Sequence, residues 1–544
     1  MKKMIYNRLV WGVIALGCLT VSCDNFLDVN TDDMMNEKDS YSQVGEVYSG
    51  FIGLAANFQA VADQYILVSE LMGDLLEPTA NASVEFWDIY RYEATNGNAE
   101  VNPNKFYNVI TNCNDFFMHA RRFHENNPTA IPDNVYLGMM SSAITYRTWA
   151  YLNIGKFYGE ALYFDVPITD GIDMSKFPVL KLDDLVPELI DYMENGVDSI
   201  NAFNALDWTK ILNNKDYSWN RMSVNPNALI TELHLWAGNY QRALEEGIKA
   251  VTCQGVIGNT AGSTTKFTLS GVYANAKWKE LFSKSYTSAD NEAFTVVPFD
   301  FQNDQTNRLQ YYFSNTPPNV YYFRPHQNLI TKYENQRQTS GMIGEDVHRG
   351  HNVTYAEEGG MPVVYRYTAG RQNHSKDAHI FIYRAADVFL MMAEALNGMG
   401  NVEAADSLLS VGLKKSWDGT NSVFLHPFED PIWNVQGNLR ECMGVRGRVG
   451  LAQENVRSYA DETASLQRKQ FVMDSLIAEE TALEAAYEGK RWFTLLRMAK
   501  HSNNPAFLAD QVCKKFSEGE REKYRTYLMD PRNWFIKYDQ YNVK

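Results

Sequence analysis

Two stretches of this chain share one pattern, and the pattern is helical. Leu233–Val251 reads LHLWAGNYQRALEEGIKAV, and Ala393–Leu413 reads AEALNGMGNVEAADSLLSVGL. Each is an apolar, alanine-rich segment, then a Gly-Asn pair, then a second amphipathic segment. Gly238 aligns with Gly400, Asn239 with Asn401 and Ala243 with Ala405. A glycine there suits the left-handed conformation that ends a helix, and a small alanine lets the second helix pack closely on the first. The pattern predicts repeated helix pairs. Apolar residues at three- and four-residue spacing predict further helices over 105–124, 134–159, 182–200, roughly 465–488 and 490–500. Between the helices lie polar, aromatic, turn-rich stretches, mainly 77–104, 254–275, 300–326, 340–380 and 415–460. Long connections inside a compact protein are usually functional. The expected fold is therefore mainly α, a helical scaffold carrying elaborate loops with little regular sheet.

The N-terminus has a different character. Lys2, Lys3 and Arg8 precede an apolar run from Leu9 to Val21, and Ser22-Cys23 then opens an acidic stretch. The run falls short of the ~20 residues a membrane-spanning helix needs but suits the middle of a secretory signal. Leu19-Thr20-Val21-Ser22-Cys23 resembles the cleavage box of a bacterial lipoprotein signal, with valine at a small-residue position. That resemblance implies lipidation at Cys23, and two or three acyl chains hold a protein stably on a membrane. Cys18 is the rival position, but apolar residues continue past it. The expected organisation is a signal peptide over 1–22, a tether over 23–40 and the body over 41–544, with no second apolar segment of membrane-crossing length.

Losing residues 1–22, with their three basic and no acidic side chains, takes the formal net charge from −16 to −19. Nucleic acid needs a basic surface, so a nucleic-acid partner is not expected. The body cysteines Cys113, Cys253, Cys442 and Cys513 are far apart, without the close spacing of a zinc site or the density of a disulfide framework. Buried free thiols are expected, with one long-range disulfide left open.

The C-terminal stretch IAEETALEAAYEGKRWFTLLRMAK, 477–500, carries Glu488-Gly489-Lys490-Arg491-Trp492-Phe493-Thr494-Leu495. It resembles the signature of the SusD/RagB family, which often has Asp at the place of Thr494. AADVFLMMAEALN (385–397), TYRTWAYLNIGKFYGEALYFDVPIT (145–169), NAKWKELFSKSYTSADNEAFTVV (275–297) and VRGRVGL (445–451) are similar to further family elements in the family's order. The resemblance spans nearly the whole chain, with its C-terminal signature region over about 280–544. It implies a scaffold of tetratricopeptide-like helix pairs with a loop-rich ligand face. It also implies a lipid-anchored protein of the outer membrane, facing outward, that captures glycans and passes them to a SusC-like TonB-dependent transporter. Some members capture peptides instead.

The ligand face implied by the resemblance corresponds to 77–104 and 300–326. The first contains Asn81, Phe86, Trp87, Tyr90 and Arg91. The second contains Asn303, Asn307, Arg308, Tyr311, Tyr312, Tyr321, Tyr322 and Phe323. Aromatic rings offer flat apolar faces to the C–H faces of sugars, and Asn and Arg take hydroxyls by hydrogen bonds. Any one of these rings could equally be packed in the core. A glycoside hydrolase on a helical scaffold is the rival reading, since paired carboxylates can cleave glycosides. Glu357-Glu358, Glu479-Glu480 and Asp183-Asp184 are adjacent pairs, however, whose members point apart, and a solvated surface is expected for each. No GxSxG, HExxH or P-loop motif occurs. GVRGRVG (444–450) reads as a structural turn, and His348, His351, His374 and His379 as surface histidines. No cofactor is expected; loop carboxylates could hold a structural calcium, at no position the sequence singles out.

Overall fold

The computed structural model describes residues 41–168, 172–195, 211, 221–252, 278, 281–282, 292–299, 305–368, 379–410, 414–417, 422–424, 444–452 and 463–542. The signal, Cys18, Cys23 and the tether lie outside these residues. So do Cys253, Cys442, Asn303, His374, the 254–275 stretch and most of 415–460.

The first helix, α1 (Val44–Met72), opens with Glu46 accepting hydrogen bonds from the backbone N–H groups of Ser42 and Gln43. By length and composition alone it could cross a membrane, which corrects the expectation that no such segment exists. Its C-terminal part, Val61 to Met72, is instead buried in the protein. After a short α2 (Val84–Tyr90), the antiparallel pair α3 (Asn104–Asn126) and α4 (Asp133–Tyr158) packs on α1, and α5 (Leu182–Glu194) packs on α4. The two glycine-turn hairpins form as the pattern predicts. They are α6 (Pro226–Trp236) with α7 (Tyr240–Thr252), and, after the short α8 (Leu309–Phe313) and α9 (Gln327–Glu334), α10 (Ala385–Gly398) with α11 (Val402–Ser410). Gly238 and Gly400 sit at φ of 70° and 85°, and α7 packs against α10, so the hairpins stack on each other. Next, α12 (Leu466–Glu484) lies on α10 and α11, α13 (Arg491–His501) on α12 and α1, and α14 (Pro505–Val512) and α15 (Glu518–Leu528) close the array. The strands among the described residues form two-stranded antiparallel ladders only.

The centre of the molecule is polar. Arg349, Arg366, Arg384, Arg446 and Arg448 meet Glu292, Asp346, Glu480, Glu484 and Glu488, and all ten side chains are buried. Helix α12 presents Glu480 and Glu484 one turn apart on one face. Arg384 donates to Glu292 at 2.7 Å and to Glu484 at 2.6 Å, and Arg349 donates to Glu484 at 2.8 Å; Arg448 reaches the same carboxylate. Burial alone would push Glu484 up, but Arg448, Arg384 and Arg349 outweigh it and hold this carboxyl well below its ordinary range. Trp278 lies under the guanidinium groups of Arg448, Arg384 and Arg366, 5.0–5.8 Å from its ring centre. The expectation of a solvated surface for Glu479-Glu480 is therefore wrong for Glu480, which pairs with Arg349 and Arg446; Glu479 pairs with Lys332 and Arg491.

The segment 488–492 joins this network to α1. Glu488 takes Arg366 and Arg384; Arg491 donates to Asp74 at 2.8 Å; Trp492 is buried. Between them Gly489 has φ of 75° and donates its N–H to Glu70, 2.7 Å away. A Cβ at this glycine would come within 2.7 Å of the Tyr65 ring and 2.9 Å of the Ser69 hydroxyl. Replacing Gly489 by Ala is therefore expected to cost about 2–4 kcal/mol, combining left-handed strain with overpacking. A denaturant midpoint unchanged from that of the parent protein would refute this.

Lys515 closes the C-terminal end of α1. Its ammonium donates to the carbonyls of Leu71 (2.7 Å) and Met72 (3.2 Å), inside a box of Tyr90, Tyr92 and Phe516 rings. A cation is favoured at a helix C-terminus, where carbonyls lack partners, while full burial depresses this amine well below the ordinary lysine range.

Candidate ligand-binding face

Loops far apart in sequence are brought together by one short ladder. Strand β1 (Leu76–Pro78) runs antiparallel to a second strand at Phe323–Pro325, with Leu76 opposite Pro325 and Pro78 opposite Phe323. Beyond it the Thr79 N–H donates to the Tyr322 carbonyl at 2.7 Å, and Asn81 Nδ2 donates to the Val320 carbonyl at 3.0 Å. Residues 79–91 and 308–323 thus share one face.

The face is aromatic. Tyr312 and Tyr322 stack with ring centres 4.8 Å apart and planes 15° from parallel. Tyr311 joins at 5.8 Å and is 44% exposed, the most open ring of the group. Tyr312 and Tyr322 are half-buried, each leaving part of its ring at the surface. Beneath them Phe86 and Phe323 meet the tyrosines edge-on. Burial raises the Tyr312 phenol above its ordinary range although Arg308 pulls it down, so its hydroxyl is a neutral donor and acceptor.

Other residues expected on this face have different tasks. Phe86 and Tyr90 are buried, and Tyr90 donates its hydroxyl to the Lys515 carbonyl at 2.8 Å. Tyr321 is buried too, in left-handed backbone (φ 51°), and its hydroxyl reaches the Pro362 carbonyl at 2.6 Å. These three rings support the face and have no free surface to offer a ligand. Arg308 is engaged by Asp63 and Glu100, at 2.8 Å each, and so anchors the start of α8 to α1. Asn307 accepts from the Leu309 N–H at 3.0 Å, just before the same helix. Trp87 is half-buried. Its described ring neighbour is Tyr90, at 5.7 Å, and exposed Arg91 lies 4.8 Å over it, so it sits to one side of the tyrosine cluster. Asn81, Arg91, Trp87, Tyr311, Tyr312 and Tyr322 retain surface among the expected residues, as do half-buried Asn307 and Arg308 beside their structural contacts.

A further support comes from the hairpin Tyr355–Val364, whose strands pair Glu358 with Met361. Glu358 accepts from the Ser314 hydroxyl at 2.8 Å and the Asn315 N–H at 2.7 Å, fixing the turn that follows α8. Asp63, Glu100 and Glu358 carry no local sequence signal of these roles. Their partners lie 43 to 245 residues away along the chain.

A family profile described as the SusD family matches residues 234–541. Among solved structures, a SusD superfamily protein from Bacteroides thetaiotaomicron shares 16% identity, with a TM-score of 0.61 over 92% of this chain and 99% of that one. One from Bacteroides vulgatus shares 12% identity at the same TM-score, over 92% and 95% of the two chains. A SusD-like carbohydrate binding protein, also from Bacteroides vulgatus, shares 13%, with a TM-score of 0.54 over 84% and 83%. No curated protein matches the chain.

Proposed function

Because the chain belongs to the SusD family, we propose that it captures oligosaccharides on the Tyr311–Tyr312–Tyr322 face and hands them to a TonB-dependent outer-membrane transporter, without itself performing catalysis. The observation that carries this is the stacked tyrosine pair with its exposed neighbour, held on a rigid ladder. It is an aromatic platform with phenol hydroxyls at its edge, the surface a sugar ring fits. A solved structure of this fold is described as carbohydrate binding, which supports the reading. Lipidation at Cys23 would hold the body at the outer face of the outer membrane.

Glycan-array screening of the soluble body, followed by calorimetry, tests the ligand class. Replacing Tyr312 and Tyr322 by Ala is expected to weaken oligosaccharide binding about five- to tenfold or more. Replacing Phe86 by Ala should chiefly lower stability, by about 3–5 kcal/mol. Binding of peptides and no glycan would favour the peptide-capturing alternative, and release of reducing sugar would favour a hydrolase. The anchor is tested separately: Cys23→Ala is expected to move the protein from the membrane to the soluble fraction. Retention of that variant together with release of Cys18→Ala would reassign the lipid.

A further inference from the structure

The C-terminal segment builds a second concave surface, whose lining includes none of the platform tyrosines. Residues 534–541 have little regular structure, yet they are pinned along their length. The Trp534 indole donates to the Leu528 carbonyl (2.8 Å), the Ile536 N–H to the Phe157 carbonyl (2.9 Å) and the Asp539 N–H to the Asn96 side chain (3.2 Å). The Tyr107 hydroxyl holds Gln540 at 2.9 Å. This rigid strip divides two clefts. The larger, about 710 Å³, runs between it and the β-ladder of Glu160–Leu162 with Val179–Lys181; the smaller, about 300 Å³, lies on the side of residues 92–95. Phe535, Ile536 and Lys537 line both.

The larger cleft lies within the size range of small-molecule sites, and its wall is of mixed chemistry. Phe535 lies against Gly159, which has φ of 78° and where a Cβ would come within 2.8 Å of the ring. The bare glycine is thus what lets the ring lie down on this wall. Tyr538 stands edge-on to buried Tyr158 at 5.8 Å and is itself half-buried. Around these rings are Lys181 and Lys537, both exposed, and Glu160 and Asp539. Lys181, Lys537 and Glu160 form no ion pair within 4.0 Å among the described residues, although Glu160 stands directly across the ladder from Lys181. Arg532, at the rim, is engaged by Asp530.

Cations and carboxylates balance here, in a chain whose overall charge is −16. A strongly ionic ligand is therefore not what this wall selects. Lysine donors and carboxylate acceptors beside aromatic rings suit a neutral polyhydroxylated ligand, because each hydroxyl both donates and accepts. We propose that this cleft is a second saccharide subsite, separate from the tyrosine platform and able to hold a neutral oligosaccharide through Phe535, Tyr538, Lys181 and Lys537. The proposal rests on the glycan-capturing reading above, and the experiment separates the two.

The probe is the neutral oligosaccharide that binds best in the array, titrated by calorimetry into the soluble body and three variants. The Tyr311→Ala, Tyr312→Ala, Tyr322→Ala triple variant disables the platform. Lys181→Ala with Lys537→Ala disables the cleft at exposed positions, so folding is preserved. The third variant combines all five changes. The triple variant should keep a residual, weaker binding event. Adding the lysine changes should reduce that event about tenfold, as expected for losing a charged hydrogen-bonding partner. Loss of all binding in the triple variant, or residual binding indifferent to the lysine changes, overturns the cleft and leaves the platform standing. Residual binding confined to peptides also overturns it, and no glycan binding by the parent protein overturns both readings.

Discussion

Replacing Glu484 by Leu is expected to destabilise the protein by about 3–5 kcal/mol, the loss typical of breaking a buried ion pair from one side. The geometry makes Glu484 the most consequential single carboxylate of the network. It accepts from Arg349, Arg384 and Arg448, and each of these would be left with a buried charge short of a partner. Leucine fills similar volume, so the loss would report charge rather than packing. Glu484→Gln keeps the acceptor and should lose less. Asp183→Ala is the surface control: its carboxylate pairs with Lys500 but is 68% exposed, and such pairs contribute about 0–1 kcal/mol. Denaturant titration followed by tryptophan fluorescence ranks the three. A Glu484→Leu midpoint no lower than that of Asp183→Ala would mean that the network is not a determinant of stability.

That network marks the limit of what could be read along the chain. Helices were legible where the apolar spacing was regular, and the two Gly-Asn turns announced their own left-handed glycines. Burial of charge was not legible. YEGKRW shows no local sign of burial, because nothing nearby in sequence reveals that Glu488 and Arg491 will meet Arg366, Arg384 and Asp74 from distant segments. The same cause governs the candidate ligand face. Its two loops were legible as aromatic stretches in polar surroundings, but which rings face outward depends on the pairing of Leu76–Pro78 with Phe323–Pro325 across some 245 residues. Tyr321 and Tyr322 are neighbours in sequence, yet one is buried on Pro362 and the other stacks on Tyr312. Tyr321 lies in left-handed backbone just before the strand at Phe323–Pro325, so the turn there separates its ring from that of Tyr322. Arg308 looked like a hydroxyl donor because it follows Asn307 in a polar loop; its partners Asp63 and Glu100 made it an anchor.

The contribution of three buried carboxyls to stability should fall by about 2–4 kcal/mol between pH 6 and pH 8. Burial, together with neighbouring carboxylates, pushes Glu70 up to about 8, Asp474 to about 7 and Asp387 to about 6. Each binds its proton more tightly folded than unfolded, so its contribution is complete below the unfolded carboxyl range. It is lost as pH rises through the folded value, at about 1.4 kcal/mol for each pH step over which only the unfolded chain has released the proton. Glu70 fits this role structurally: one oxygen accepts from Gly489, while the other is buried without a partner. Opposing groups act at lower pH. Burial depresses His326 and His501, which removes stability as pH falls below the ordinary histidine range. Glu232, held down to about 2 against burial by Lys156 and Lys490, does so below about pH 4.5. Lys156, depressed to about 8 by burial, adds stability only on the alkaline side, and Lys515, depressed well below the ordinary lysine range by burial, opposes the carboxyls as pH rises. The carboxyl share is therefore isolated by comparing each variant with the parent protein at the same pH. Glu70→Gln should keep the hydrogen bond from Gly489 and remove this carboxyl's share of the decline, so that its stability relative to the parent protein rises between pH 6 and pH 8, measured as denaturant midpoints across that range. Asp474→Asn should show a smaller rise. A pH dependence matching the parent protein's in both variants would show that these carboxyls are ionised in the folded protein and that its pH dependence arises elsewhere.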